Sequence, residues 1–149
     1  MRLSRIVCLA ALLWAGSVRH IDATCSVSTT GVVFGGYNVF NTSPVDTTGA
    51  MTCYCDKNEK TIRITLDHGN SATFSRYLVS GANHLSYNLY LDATRTTIWG
   101  DGSNGSGSLD IAKASHDQSV DFTVYARIPA GQDAAVGGYT DTLVFTVLY

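Results

Sequence analysis

Four cysteines, Cys8, Cys25, Cys53 and Cys55, are the most reactive side chains in this chain of 149 residues. Cys8 falls inside a leader-like segment, so an exported form carries three thiols. In an oxidising compartment three thiols give one disulfide and one spare. Cys53-Tyr54-Cys55 has a single residue between its thiols, whereas zinc sites space paired ligands by two to four residues. With no His and no second pair nearby, no metal site is expected. On a strand Met51, Cys53 and Cys55 share one face, so both thiols look into a core. Parity therefore leaves either of them as the partner of Cys25.

Other motif matches dissolve on inspection. Gly100-Asp101-Gly102-Ser103-Asn104-Gly105 satisfies the dinucleotide fingerprint G-x-G-x-x-G, but that motif works only where a strand turns into a helix whose N-terminus meets a pyrophosphate. No helical period follows, and a glycine-rich hairpin loop is the expectation. Asp101 to Asp110 imitates a calcium loop without acidic or amide ligands at the third and fifth positions or a closing Glu. Catalysis needs a nucleophile, a base and an orienting group converging in a pocket. His68, His84 and His116 all fall in or beside expected loops. Asp67-His68 is the one adjacent acid and imidazole pair, and neighbours on a strand point to opposite faces. No catalytic residues, no cofactor and no enzymatic activity are expected.

The elements that would position these groups are strands. Thr61 to Asp67 places Ile62, Ile64 and Leu66 on one face, and Leu85 to Asp92 does the same with Leu85, Tyr87, Leu89 and Leu91. Val120, Phe122, Val124, Ala126 and Ile128 alternate with Ser119, Asp121, Thr123, Tyr125 and Arg127, the cleanest period-two signal in the chain. Thr140 to Tyr149 is apolar on both faces and reads as a central strand. Thr42 to Gly49, His68 to Ser75, Gly100 to Ser108 and Pro129 to Gly138 are rich in Gly, Ser, Asn, Asp or Pro and read as loops. Short strands at this spacing predict an all-β chain, an antiparallel sandwich with immunoglobulin-like connections.

Composition and address complete the reading. Apolar residues make up 45% and charged residues 15% of the chain, with a net charge of -2, which indicates a folded domain and offers no footprint for nucleic acid. Arg2 and Arg5 precede an apolar run from Ile6 to Ala15, then small residues: the pattern of a secretory signal peptide. Cleavage is expected after Ser17 or after Ala23. Residues 1–23 are taken as the signal and 24–149 as one domain. The apolar run is shorter than the roughly 20 residues a spanning helix needs, so no membrane insertion of the exported form is expected.

Three ordered stretches carry a family resemblance. The first is Cys25 with Val33-Phe34-Gly35-Gly36-Tyr37 and Gly49-Ala50-Met51-Thr52-Cys53-Tyr54-Cys55. The second is Leu85-Ser86-Tyr87-Asn88-Leu89-Tyr90-Leu91-Asp92, continuing through Arg95-Thr96 to Trp99-Gly100-Asp101-Gly102. The third is Val124-Tyr125-Ala126-Arg127-Ile128-Pro129-Ala130-Gly131-Gln132, then Gly138-Tyr139-Thr140-Asp141-Thr142-Leu143-Val144 and on to Tyr149. Together they resemble the spore coat protein U domain, a family that also supplies subunits of archaic chaperone-usher pili.

The resemblance implies an incomplete immunoglobulin-like antiparallel β-sandwich lacking its last strand. Its open groove, lined by Leu143, Phe145, Val147 and Tyr149, would be filled by a strand from a chaperone and later from a neighbouring subunit. The implied partners are a periplasmic chaperone, an outer-membrane usher and other fibre subunits. The implied route runs through the periplasm to the cell surface. It further implies a Cys25–Cys55 disulfide, with Cys53 at a position usually held by an apolar residue. Polymerising relatives carry a donor segment of roughly ten residues before the first cysteine, a length set by strand rise. Here little precedes Cys25, so this subunit is expected to accept a strand rather than donate one. The function implied is a structural subunit of a surface fibre or of a spore or cell coat. The alternative is a stand-alone secreted module that binds a surface or carbohydrate through Tyr90, Trp99 or Tyr125.

Overall fold

The strongest alternating run becomes the strand around which the rest is organised in the computed structural model, which describes residues 25–56, 59–114 and 118–148. Nine strands follow one another: β1 Cys25–Thr29, β2 Val45–Cys55, β3 Glu59–Leu66, β4 Tyr77–Ser80, β5 Asn83–Ser86, β6 Asn88–Tyr90, β7 Leu109–Ala114, β8 Gln118–Ile128 and β9 Phe145–Leu148. No helix occurs among the described residues. One sheet has the order β1-β2-β8-β6, a second has β7-β3-β9, and β4 and β5 form a separate hairpin. Every strand pair is antiparallel. The longest ladder joins β2 to β8 from Val45↔Ile128 to Cys55↔Gln118.

The core lies where the two sheets' apolar faces meet. Met51, Cys53, Cys55, Val124, Ala126 and Ile128 come from the first sheet, and Ile62, Ile64, Leu66 and Ile111 from the second. Trp99 belongs to the same cluster and is 2% exposed. Its indole N–H donates to Ile64 O at 3.1 Å, which satisfies the polar atom of an otherwise apolar ring. Gly49 interrupts the inward face of β2 for a steric reason. A Cβ there would stand 2.6 Å from Gly31 O and 2.9 Å from Val32 Cγ2, so the segment after β1 crosses directly over it.

Three expectations need correction. Residues 45–49 are strand rather than loop, because β8 offers alternating ladder groups along its whole length and Val45 to Gly49 pair with Ile128 to Val124. Leu85 to Asp92 is not continuous. Tyr87 N still donates to Arg76 O at 3.0 Å, continuing the register of the β4–β5 hairpin by one residue, and from Asn88 the chain changes partner and β6 joins β8. The run from Thr140 is not a central strand. Thr140 bridges Val79, Val144 exchanges bonds with Asp67, and ladder pairing to β3 begins only at Phe145. β9 is an edge strand among the described residues, which explains why all four of its side chains are half-buried; Tyr149 lies outside the described residues.

Surface carboxylates tie the loops and outer faces together. The Arg127 guanidinium, at 2.7 Å, holds Asp46 below the ordinary carboxylate value of 3.8. Arg63 does the same to Asp110. The Thr94 hydroxyl and the Thr97 amide lower Asp92, and the Ser103 hydroxyl and amide lower Asp101. Groups whose folded values are depressed stabilise the fold above their unfolded value, and that contribution is lost as pH falls through the folded one. Thermal melts should therefore be flat from about pH 7 to 5 and fall progressively below about pH 4. A melting temperature that rises between those lower values contradicts this assignment. The effect is modest, since these pairs face solvent.

Candidate functional site

The described residues enclose an apolar cleft of about 950 Å³. Its floor is core: Met51, Leu66, Leu85, Leu89, Trp99, Val124 and Ile128 line it. One wall is residues 31–39 and the other is residues 134–141. Neither wall forms a strand, so the lining on these sides presents loop backbone rather than a closed sheet. Val33 and Val136 stand at the cleft almost fully exposed, at 78% and 107%. Exposed apolar side chains around an apolar cavity form the kind of patch that interaction sites and ligand grooves carry.

Polar groups in the walls are used to hold them in place. The Tyr37 hydroxyl accepts Gln132 N at 2.8 Å. The Gln132 carboxamide then accepts Ser86 N at 2.7 Å and donates to Ser86 O at 2.9 Å, imitating one rung of a β-ladder. Tyr87, 5% exposed, donates its hydroxyl to Asp141 at 2.7 Å. Burial, then that hydrogen bond, push its phenol far above the usual range, so it stays a neutral donor. Asp141 also accepts Asn70 N and Thr142 N. Phe34 meets the Tyr87 ring edge-on at 5.9 Å.

Behind the cleft sits Arg76, 1% exposed. It donates to Asp67 O at 3.0 Å, Asn88 Oδ1 at 2.8 Å and Trp99 O at 2.8 Å. Asn88 in turn donates to Phe74 O at 2.6 Å. Burial lowers the Arg76 pKa from its ordinary value, opposed by the fields of Tyr87, Asp67 and Asp141. The sequence reading missed this residue, since one cation among loop residues carries no periodic signal.

The residues singled out from sequence fall in separate places. Leu143 and Phe145 line the cleft. Val147 packs against the core without lining the cleft, and Tyr149 is outside the described residues. Cys25 and Cys55 face each other across β1 and β2 and are joined, with Cα atoms 4.2 Å apart. Cys53 is free and 2% exposed, and burial raises its thiol pKa. Reduction of the bridge, which closes a separation of 30 residues, should cost roughly 3 to 4 kcal/mol on the loop-entropy account. Denaturant melts with and without reductant check this, and coincident curves contradict it.

The described acidic and imidazole groups are engaged in local contacts. Asp67 spends its carboxylate on Gly69 N and Val144 N, while His68 packs at a tilt against Phe74 with ring centroids 4.2 Å apart. His84 stacks on Tyr77, and His116 lies outside the described residues. Asp101 accepts Ser103 N inside the glycine-rich loop, where Asn104, Gly102 and Gly105 all have positive φ. Among the described residues no group of three or more His, Cys, Asp and Glu converges on a metal position, and no helix is long and apolar enough to cross a membrane. Trp99 is buried, so of the aromatics considered for ligand stacking only Tyr90 and Tyr125 reach the surface. They pair across β6 and β8, with the Arg95 guanidinium 5.8 Å above the Tyr125 ring.

The described residues thus form an antiparallel sandwich with an apolar cleft beside a short edge strand. The family model for the Spore Coat Protein U domain matches residues 12–146, and the chain belongs to that family. Protein U of Myxococcus xanthus is 36% identical over 70 residues, which are 47% of this chain and 37% of that protein. Among solved structures, the chain resembles one in the crystal structure of the CsuC-CsuE chaperone-tip adhesion subunit pre-assembly complex from archaic chaperone-usher Csu pili of Acinetobacter baumannii. The TM-score is 0.56 at 16% identity, covering 85% of this chain and 40% of that one. The chain thus spans well under half the length of either relative.

Proposed function

We propose that this protein is an exported structural subunit of a bacterial surface fibre or coat, whose cleft is completed by a β-strand donated by another chain. The observation that carries the reading is the apolar cleft beside the outer edge of β9, which pairs with no strand among the described residues. A strand laid there gains main-chain bonds along β9 and buries alternate side chains on Leu66, Trp99, Leu143 and Phe145. The donor is first a periplasmic chaperone and then another fibre subunit delivered through an outer-membrane usher. Membership of the Spore Coat Protein U family supports this assignment. Export to the periplasm and then the cell surface follows from the signal-like leader. The role is mechanical rather than catalytic, since the carboxylates and histidines described above are occupied by structural bonds and ring contacts.

Hydrogen exchange tests it. In the isolated protein, amides of residues 31–37 and the outward amides of β9 should exchange fast, and a peptide of alternating apolar residues should slow both sets together. Protection of both sets before any peptide is added, with no binding, overturns the proposal.

A further inference from the structure

We propose that Cys53 is a built-in exchange thiol that lets the chain trade its Cys25–Cys55 disulfide for Cys25–Cys53, each bond fixing a different register of β1 on β2. This goes beyond the fibre reading, and the exchange itself needs no occupant in the cleft.

Three sulfurs share one inward-facing patch at the edge of the first sheet. Cys25 stands opposite Cys55 and Val27 opposite Cys53, so Cys53 is the diagonal neighbour of Cys25 on the same face. Diagonal neighbours in an antiparallel pair lie about 7 to 8 Å apart, close enough for rotating side chains to bring sulfurs into contact. The separation is too long for a relaxed bridge without backbone movement. The product bond therefore requires β1 to slide.

β1 is the strand able to do so. It has five residues, pairs with no strand but β2 among the described residues and stands at the edge of the sheet they form, and its outward residues Ser26 and Ser28 are small and exposed. A slide of two residues, about 6.6 Å at strand rise, keeps the same side chains facing inward, whereas a slip of one would turn them all out. In the new register Cys25 meets Cys53, Val27 meets Met51, and Thr29 meets Gly49. Gly49 has no side chain to obstruct the arrival. Its inward space is now filled by Gly31 O and Val32, which the slide carries onward.

The chemistry balances without an outside oxidant or reductant. Burial disfavours the Cys53 thiolate, which makes exchange a slow process of hours; once formed it attacks Cys25 Sγ, the bond to Cys55 breaks, and Cys55 leaves as a thiolate that takes up the proton Cys53 released. One disulfide and one thiol exist before and after. Two residues of chain are meanwhile fed into the segment after β1, whose residues 31–39 wall the cleft. The bond state thereby sets the position of that wall.

The test is disulfide mapping of the full exported protein with no cleft occupant present. Samples held for hours with a trace of glutathione are quenched in acid denaturant and alkylated. Chymotryptic cleavage after Tyr54 then separates Cys53 from Cys55 for mass spectrometry. The expected result is Cys25–Cys53 growing to roughly a tenth or more of the bridged protein, with alkylated Cys55 in the same proportion. Cys25–Cys55 alone, with alkylation confined to Cys53 at every time, overturns the proposal. Cys55→Ser should form Cys25–Cys53 quantitatively and change amide exchange over residues 30–37 relative to Cys53→Ser. A Cys55→Ser protein that stays reduced while Cys53→Ser folds and bridges counts equally against it. None of these readouts depends on strand binding, so failure here leaves the fibre reading standing.

Discussion

Produced in a periplasm without a partner to fill its cleft, the exported domain should aggregate, associate promiscuously or be degraded, and a C-terminally fused strand of alternating apolar residues should restore a monodisperse protein. The cause is the apolar cleft between residues 31–39 and 134–141, with Leu143 and Phe145 on its lining. Leaving on the order of a few hundred square ångströms of apolar surface in water costs several kcal/mol at about 25 cal/mol per Å². That rivals a domain's whole net stability of roughly 5 to 15 kcal/mol. The fused strand supplies both ladder bonds to β9 and the missing core side chains. Size-exclusion chromatography and thermal melts read the outcome. A charged residue at any inward position of the fused strand should abolish rescue, because an unpaired charge buried against Trp99 and Phe145 has no partner. An unfused domain that accumulates in the periplasm and purifies as a stable monomer at micromolar concentration sinks the prediction, whereas dilute, freshly refolded protein escapes association long enough for exchange and disulfide measurements.

Arg76→Met should be the most damaging single substitution outside the disulfide. Methionine roughly matches the length and fills the space, but it leaves Asp67 O and Trp99 O without their donor, while Asn88 Oδ1 loses one donor and keeps Leu89 N. Each buried unsatisfied acceptor costs about 1 to 3 kcal/mol, for a total of about 3 to 5 kcal/mol after partial relaxation. At roughly 2 to 4 °C per kcal/mol for a chain of this size, the melting temperature should fall by about 10 to 15 °C. Arg76→Lys should fall between, since an ammonium reaches some of these acceptors without the planar fork. Buried ionic groups elsewhere can be replaced by hydrophobes at no loss. A neutral Arg76→Met would show that Arg76 belongs to that class and that its carbonyl partners find other donors.

Legibility in the sequence tracked how strongly a residue's place is set by period two. Ser119 to Ile128 alternates without a break, and β8 runs through the middle of its sheet. Ile62, Ile64 and Leu66 likewise point into the core. The breaks came where a side chain outside the pattern dictated the backbone. Tyr87 looks like one more apolar position of a continuous strand, yet it ends the hairpin register opposite Arg76, and Asn88, its side chain buried on Arg76 and Phe74 O, starts the pairing with β8. Asp141 to Val144 sit in an apolar-looking run, but Asp141 and Asp67 capture backbone amides and draw the run out of the ladder. Leu143 and Phe145 were legible as cleft residues only through the family resemblance. The walls that flank them are aperiodic and glycine-rich, and local sequence says nothing of what they enclose.

The β2–β8 ladder has a kinetic consequence. Asp46 and Arg127, paired across it, are 81 residues apart in the chain, and closing such a separation before any contact rewards it makes folding slow, in the range of milliseconds to seconds for sandwiches. Cys25 and Cys55 are only 30 apart, so the β1–β2 hairpin forms well ahead of the ladder it will later support. Two thiols on β2 compete for Cys25 during that interval, before β8 has arrived to pack against either. Any catalyst of oxidation therefore acts on an exposed hairpin, and the register it selects is the template on which the rest of the first sheet assembles.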